Sequence, residues 1–206
     1  IALATVSAAA IIAAGVAANG QTVGAVAAAA QVKVAERADD FRLVDHKSKT
    51  QLLSYYKNSP AVVIISQQNG AKAIRDAAAD IKALQASFAG KEVPLLLLNS
   101  NPADNRETIA AEMASLGLDI PVMLDDTQLV GESLGVSRVA QALVIQPKTW
   151  KVVYSGPISA GGKTYVADAV NSLVAGTPVR VSTAEIDTPL IAFPNRDRKT
   201  EFARIS

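Results

Sequence analysis

Few side chains in this 206-residue sequence are equipped for chemistry. There is no cysteine, which excludes structural disulfides, thiolate metal sites, iron–sulfur clusters and every thiol-based reaction. His46 is the single histidine, so a multi-histidine metal centre is excluded as well. In the loop after a first strand it reads as a solvated residue. Ser66 is a nucleophile only beside a base, and no histidine is placed to activate it. Asp125 and Asp126 could bind a metal or do acid–base work. Such a pair more often ends a strand or caps a helix, and Thr127 and Leu129 begin one here. Gly161-Gly162-Lys163-Thr164 looks like the end of a phosphate-binding loop. That motif needs a glycine where Pro157 stands, and Gly156 is one place off. A flexible loop ending in a helix cap is the better reading.

These residues are carried by alternating strand-like and helix-like segments. Phe41–Val44 is a short strand candidate, and Ala61–Ile65 and Pro94–Leu98 are continuous apolar runs of the kind buried on both faces of a sheet. Ala142–Ile145 and Lys151–Tyr154 flank a turn-like stretch and read as a β-hairpin. Ile74, Ala77, Ile81, Leu84 and Phe88 recur at helical spacing before Gly90. Ile109, Met113 and Leu116 mark a second helix ending at Gly117, with Asn101 as its expected cap and Pro102 at its first position. Thr127 is the expected cap of a short helix that ends at Gly135, and a last helix closes at Gly176. Two long strands joined by a helix should be parallel, and the hairpin adds antiparallel strands. The expectation is an α/β domain with a thioredoxin-like mixed sheet of four or five strands, flanked by helices. A flavodoxin-like sheet competes, but it would continue with parallel strands where this chain turns a hairpin.

Several segments then carry a resemblance. Ala38-Asp-Asp-Phe-Arg-Leu-Val-Asp45, Val62–Ile65 followed by Ser66-Gln-Gln-Asn-Gly70-Ala71, Leu134-Gly-Val-Ser-Arg138 with Ala142–Pro147, and Lys148–Gly156 are similar in order and spacing to redoxin domains, the peroxiredoxin-like branch of the thioredoxin superfamily. The resemblance covers residues 38–178. It implies a thiolate at the start of the helix after the first central strand, where the helix dipole and backbone N–H groups lower its pKa. That position falls in Asn69-Gly70-Ala71-Lys72, and Ala71 matches it best. The resemblance also implies a cis-proline facing the thiol, where Val139-Ala140-Gln141 stands instead. The degenerate site is therefore Asn69, Gly70, Ala71, Lys72 and Ala140, without a nucleophile, metal or cofactor.

Composition divides the chain further. Half the residues are hydrophobic and 19% are charged, which excludes disorder for most of the sequence. The net charge of +1 supplies no field that would draw nucleic acid. Residues 1–32 carry no charge, and fourteen of the first 30 are alanine. Ile1, Leu3, Val6, Ile11, Ile12 and Val16 place apolar groups around much of a helix rather than on one stripe. The segment is a retained hydrophobic anchor, a cleavable signal with small residues at 27–30, or an alanine-rich helix lying on its own domain. Residues 179–206 form an extension whose polar end has four basic and two acidic groups. Arg196, Arg198, Lys199 and Phe202 are its candidate partner contacts.

The function expected is a non-catalytic, membrane-anchored subunit that acts as scaffold or docking element. Its domain would face the periplasm, and its partners would be membrane lipid and other subunits of a complex such as a photosynthetic or respiratory one. The alternative is a small-ligand-binding module that uses the vacated cleft around Gln67, Gln68 and Asn69. An enzyme of unrelated chemistry ranks last for want of a triad or metal cluster.

Overall fold

A computed structural model describes residues 34–194 together with 196 and 198. The hydrophobic segment 1–18 and the end of the tail, including Lys199 and Phe202, lie outside the described residues. The chain runs through β1 (Arg42–Asp45), β2 (Thr50–Leu52), β3 (Val62–Gln67), α1 (Lys72–Phe88), β4 (Leu95–Asn99), α2 (Arg106–Leu116), β5 (Val122–Leu124), α3 (Leu129–Leu134), β6 (Ala142–Gln146), β7 (Lys151–Gly156) and α4 (Tyr165–Val174). Seven strands form one sheet in the order β2-β1-β5-β4-β3-β6-β7.

The expected parallel pair is present, with Val63 opposite Leu95 and Gln67 opposite Asn99. The hairpin pairs Ala142 with Gly156 and Gln146 with Lys151, with a register irregularity between Val144 and Ile145. Strand number exceeds the expected four or five because β2 and β5 each have three residues. Segments that short carry no readable period. β5 nevertheless pairs in parallel with β4 and antiparallel with β1, which joins the two halves of the sheet.

Alternation along the central strands sorts side chains to two faces. Val63, Ile65, Leu97 and Val144 pack with Ile81, Phe88, Ile109 and Val170 on one side. Val62, Ile64, Leu98 and Leu143 pack with Ile74, Leu134, Ile191 and Phe193 on the other. Each such burial contributes about 1.5–3 kcal/mol relative to exposure. Two members of the second cluster, Ile191 and Phe193, come from the C-terminal extension. That segment therefore completes the core of the domain. It also adds to the outer edge of β7, where Ser155 and residues 182–184 exchange backbone hydrogen bonds.

Two caps differ from expectation. α2 begins at Arg106, and Asn105 caps it, accepting from Thr108 N–H while Thr108 Oγ1 accepts from Asn105 N–H. A complete reciprocal box there outcompetes Asn101, whose side chain instead accepts from Ala103 N–H within the preceding turn. α3 is capped from a distance: Gln128 is its N-cap residue, and the Asp125 carboxylate accepts from Val130 and Gly131 N–H. Thr127 has no part in it.

Candidate functional site

β3, buried along its whole length, delivers the chain to a four-residue connection, residues 68–71, that turns into α1. Gly70 takes a left-handed φ of 69° there, a conformation that costs an L side chain about 1–2 kcal/mol. Ala71 follows as the N-cap residue, and its methyl group gives the helix no side-chain acceptor. The connection is held by carboxylates. Asn69 N–H donates to Asp104 at 3.0 Å and Gly70 N–H donates to Glu112 at 2.8 Å, while Arg75 donates to the Gly70 carbonyl at 2.6 Å. A thiolate needs positive potential at this helix start. Here the two N–H groups just before it are engaged by negative charge.

The buried polar groups behind the connection satisfy one another. The Gln67 amide donates to Asn69 Oδ1 at 2.8 Å and accepts from Asn99 Nδ2 at 2.7 Å, and Asn99 also donates to Asp104 at 2.8 Å. Gln67, proposed with Asn69 as a ligand contact, is fully buried and committed to this network. Asn99, Asp104 and Glu112 were not singled out by the sequence. Asn99 ends β4, Asp104 lies in the loop before α2 and Glu112 lies within α2, and polarity at such positions is too common to single them out.

Ala140 lies across from the α1 start, in the loop before β6, with φ of 60° and no cis peptide among the described residues. Ser66 and Gln141 fix this loop. Ser66 Oγ donates to the Arg138 carbonyl at 2.5 Å and accepts from Gln141 N–H at 2.9 Å, and Ala140 N–H donates to the Ser66 carbonyl at 2.9 Å. Gln141 Oε1 accepts from Ser137 and Arg138 N–H, and its Nε2 donates to Ser155 Oγ at 3.0 Å. Ser66 is thus a structural bracket, consistent with the lack of a neighbouring base. The extension closes over the same loop. Val139 N–H donates to the Pro189 carbonyl and Ile191 N–H to the Ser137 carbonyl, both at 2.9 Å, while Thr188 Oγ1 donates to the Val139 carbonyl at 2.7 Å. Beside Ala140 and the first residues of α1, Lys72 and Ala73, a cleft of about 590 Å³ remains, walled by residues 185–189 of the extension.

The remaining described candidates have partners within the chain. Asp125 is fully buried, and its carboxylate accepts from Ser100 Oγ and Gly131 N–H at 2.8 Å each. Burial pushes its carboxyl above the ordinary value, and the bonds from Gly131, Ser100 and Val130 pull back. His46 is half-buried rather than solvated: its Nδ1 accepts from Val122 N–H at 3.1 Å, and burial and then Lys47 lower its pKa. Gly161 and Gly162 form a tight turn closed by reciprocal Ala160–Lys163 backbone bonds, with no cradle for a phosphate. Arg196 lies 4.2 Å over the Phe193 ring and donates to the Val136 carbonyl at 2.9 Å, and Arg198 donates to the Pro194 carbonyl. Among the described residues, no group of three or more histidine, aspartate or glutamate side chains could hold a metal ion.

A strand–loop–helix with Ala71 at the helix start, opposed by the Ala140 loop and a closing hairpin, matches a known family. The family model for AhpC/TSA proteins covers residues 34–160. The chain belongs to the AhpC/TSA family. No protein of the curated set matches it. Among solved structures, the AhpC/TSA domain is similar to a hypothetical protein from Sinorhizobium meliloti, at 21% identity and TM-score 0.69, covering 78% of this chain and 94% of that one. It is also similar to a peroxidoxin from Mycobacterium tuberculosis, at 19% identity and TM-score 0.52, covering 70% and 95%. The thioredoxin domain of a thiol-disulfide oxidoreductase from Bacteroides vulgatus matches at 16% identity and TM-score 0.52, covering 60% and 87%. At these identities the likeness establishes the thioredoxin-like fold.

Proposed function

We propose that this AhpC/TSA-family domain is non-catalytic and serves as a docking element of a membrane-associated complex. Residues 1–18 anchor it, and the domain faces the periplasm. One observation carries the non-catalytic reading: a sequence without cysteine has Ala71 at the helix start, with the adjoining N–H groups of Asn69 and Gly70 held by Asp104 and Glu112. The anchor rests on the uncharged, alanine-rich composition of residues 1–32. Among the described residues, no helix is long and apolar enough to cross a membrane. A photosynthetic or respiratory assembly is the proposed host.

Two experiments test this. The purified full chain should show neither peroxide turnover nor disulfide reduction, and Ala71→Cys should not restore either. In that variant the thiol should titrate within about one unit of 8.5, the value of a free cysteine. Peroxide turnover by the wild-type chain would overturn the non-catalytic reading. Deleting residues 1–30 should release a folded domain from the membrane fraction. A truncated chain that stays with the membrane, or a full-length chain that is monomeric without detergent, would overturn the anchor.

A further inference from the structure

We propose that the cleft beside Ala140 is a docking groove for an extended basic segment of a partner protein, with lysine or arginine at alternate positions. The proposal rests on the docking role given to the domain and names the chemistry of the partner.

The groove lies between α1, residues 157–160 and the extension, and encloses about 590 Å³. Ala73, Ala77, Ala140 and Ile158 give it a carbon surface. Asp76 and Asp80 line one wall, and Glu185 and Asp187 the other. Lys72 is the one cation among the lining residues, and it is already paired with Asp76 at 2.6 Å. Asp80 accepts from the Ser159 hydroxyl. Glu185 and Asp187 are exposed and have no hydrogen bond or ion pair among the described residues. One lysine against four carboxylates leaves the lining of this groove net negative in a chain whose total charge is +1, with the Arg138 guanidinium close by on the Thr188 carbonyl. Concave, low-dielectric walls of one sign focus that field on whatever enters.

The chemistry of the occupant follows. An anion is repelled. An apolar peptide would strip water from the rim carboxylates without replacing it, which is unfavourable for each ion. A lysine or arginine side chain satisfies both parts of the groove: its methylene stem covers the alanine and isoleucine carbons, and its head reaches the carboxylates. A bare metal ion does not fit, because no three carboxylates converge closely enough among the described residues.

Spacing favours a peptide over a free amine. Asp76 and Asp80 are one helical turn apart, about 6 Å along the axis. Glu185 and Asp187 are two residues apart in a non-helical stretch, which separates them by up to about 7 Å. Alternate residues of an extended peptide have that same separation of about 7 Å. Two basic side chains of one strand-like segment can therefore each meet a carboxylate from either wall.

The test uses the full 206-residue chain and the labelled peptide Lys-Ala-Lys-Ala-Lys, followed by fluorescence anisotropy at low salt. Saturable binding is expected, with none for Glu-Ala-Glu-Ala-Glu. The double variant Glu185→Gln/Asp187→Asn should weaken binding at least tenfold. Asp76→Asn/Asp80→Asn, from the opposite wall, should weaken it likewise. Glu107→Gln/Asp126→Asn removes two carboxylates outside the groove and should stay within twofold of wild type. Equal loss in that control, absence of saturable binding, or spermine binding as tightly with the same dependence on Glu185 and Asp187 would each overturn the proposal. Native complexes that survive Glu185→Gln/Asp187→Asn would sink the groove and leave the docking role standing. A wild-type chain that travels alone out of mild detergent would sink the docking role itself.

Discussion

Replacing Phe193 by alanine tests whether the extension is part of the fold. Phe193 is 1% exposed, lies under the Arg196 guanidinium at 4.2 Å, and packs so close to Gly131 that a Cβ there would stand 3.0 Å from its ring. Beside it, Gln128 Nε2 bridges the Ala192 carbonyl at 2.7 Å and the Ser100 carbonyl at 2.8 Å. Truncating a buried phenylalanine costs about 3–5 kcal/mol when the cavity stays open. With a urea m-value of about 2 kcal/mol/M, the unfolding midpoint should fall by about 1.5–2.5 M. The cost is capped if the extension peels away instead. Then Val139 N–H and Ile191 N–H lose their partners at Pro189 and Ser137, and residues 182–193 become open to protease. Urea titration and limited proteolysis separate the two outcomes. A midpoint within about 0.3 M of wild type, with unchanged cleavage, would refute the view that Phe193 locks the extension to the domain.

Gly131→Ala should destabilise by about 1–3 kcal/mol, because the new Cβ would meet Ser100 Oγ at 2.5 Å as well as the Phe193 ring; a neutral urea midpoint would count against that packing. Asp125→Asn should change the pH dependence of stability. Burial raises the folded carboxyl above its ordinary 3.8, so the folded chain binds this proton more tightly than the unfolded one. The contribution is complete below 3.8 and is lost as pH rises through the folded value. The gap in urea midpoint between wild type and variant should therefore narrow from pH 4 to pH 7, and a gap that widens would reverse the assignment.

The central part of the fold was legible because burial writes a strong signal. Ala61–Ile65 and Pro94–Leu98 are continuous apolar runs, and a strand sandwiched between two layers has no polar face to show. The helix over Ile74–Phe88 and its stop at Gly90 were readable for the same reason, since one stripe faces the core. β2 and β5 were lost because three residues do not establish a period, and their pairing is decided by neighbours far away in sequence. The α2 cap shows the same limitation: Asn101 is an acceptable cap residue in isolation, and the reciprocal box at Asn105 outcompetes it only once the backbone is in place. At α3 the reading of the Asp125–Asp126 pair as strand end and helix cap holds at Asp125, which takes the place Thr127 was expected to fill.

The site was half legible for a different reason. Absence of cysteine is a property of composition, so the loss of thiol chemistry needs no structure. What replaced it could not be read, because each replacement acts across a long span of chain. Asp104 and Glu112 reach Asn69 and Gly70 over 35 and 42 residues, and the Thr188 hydroxyl reaches Val139 over 49. These contacts are the reason Ala71→Cys alone is expected to restore no activity. A restored thiol would meet two carboxylates engaged with the N–H groups before its helix and an Ala140 loop pinned by residues 188–191. The same extension that closes over the Ala140 loop supplies Glu185 and Asp187 to the groove beside it. Residues 182–193, folded back onto the domain, thus both pin the Ala140 loop and supply two of the groove's four carboxylates.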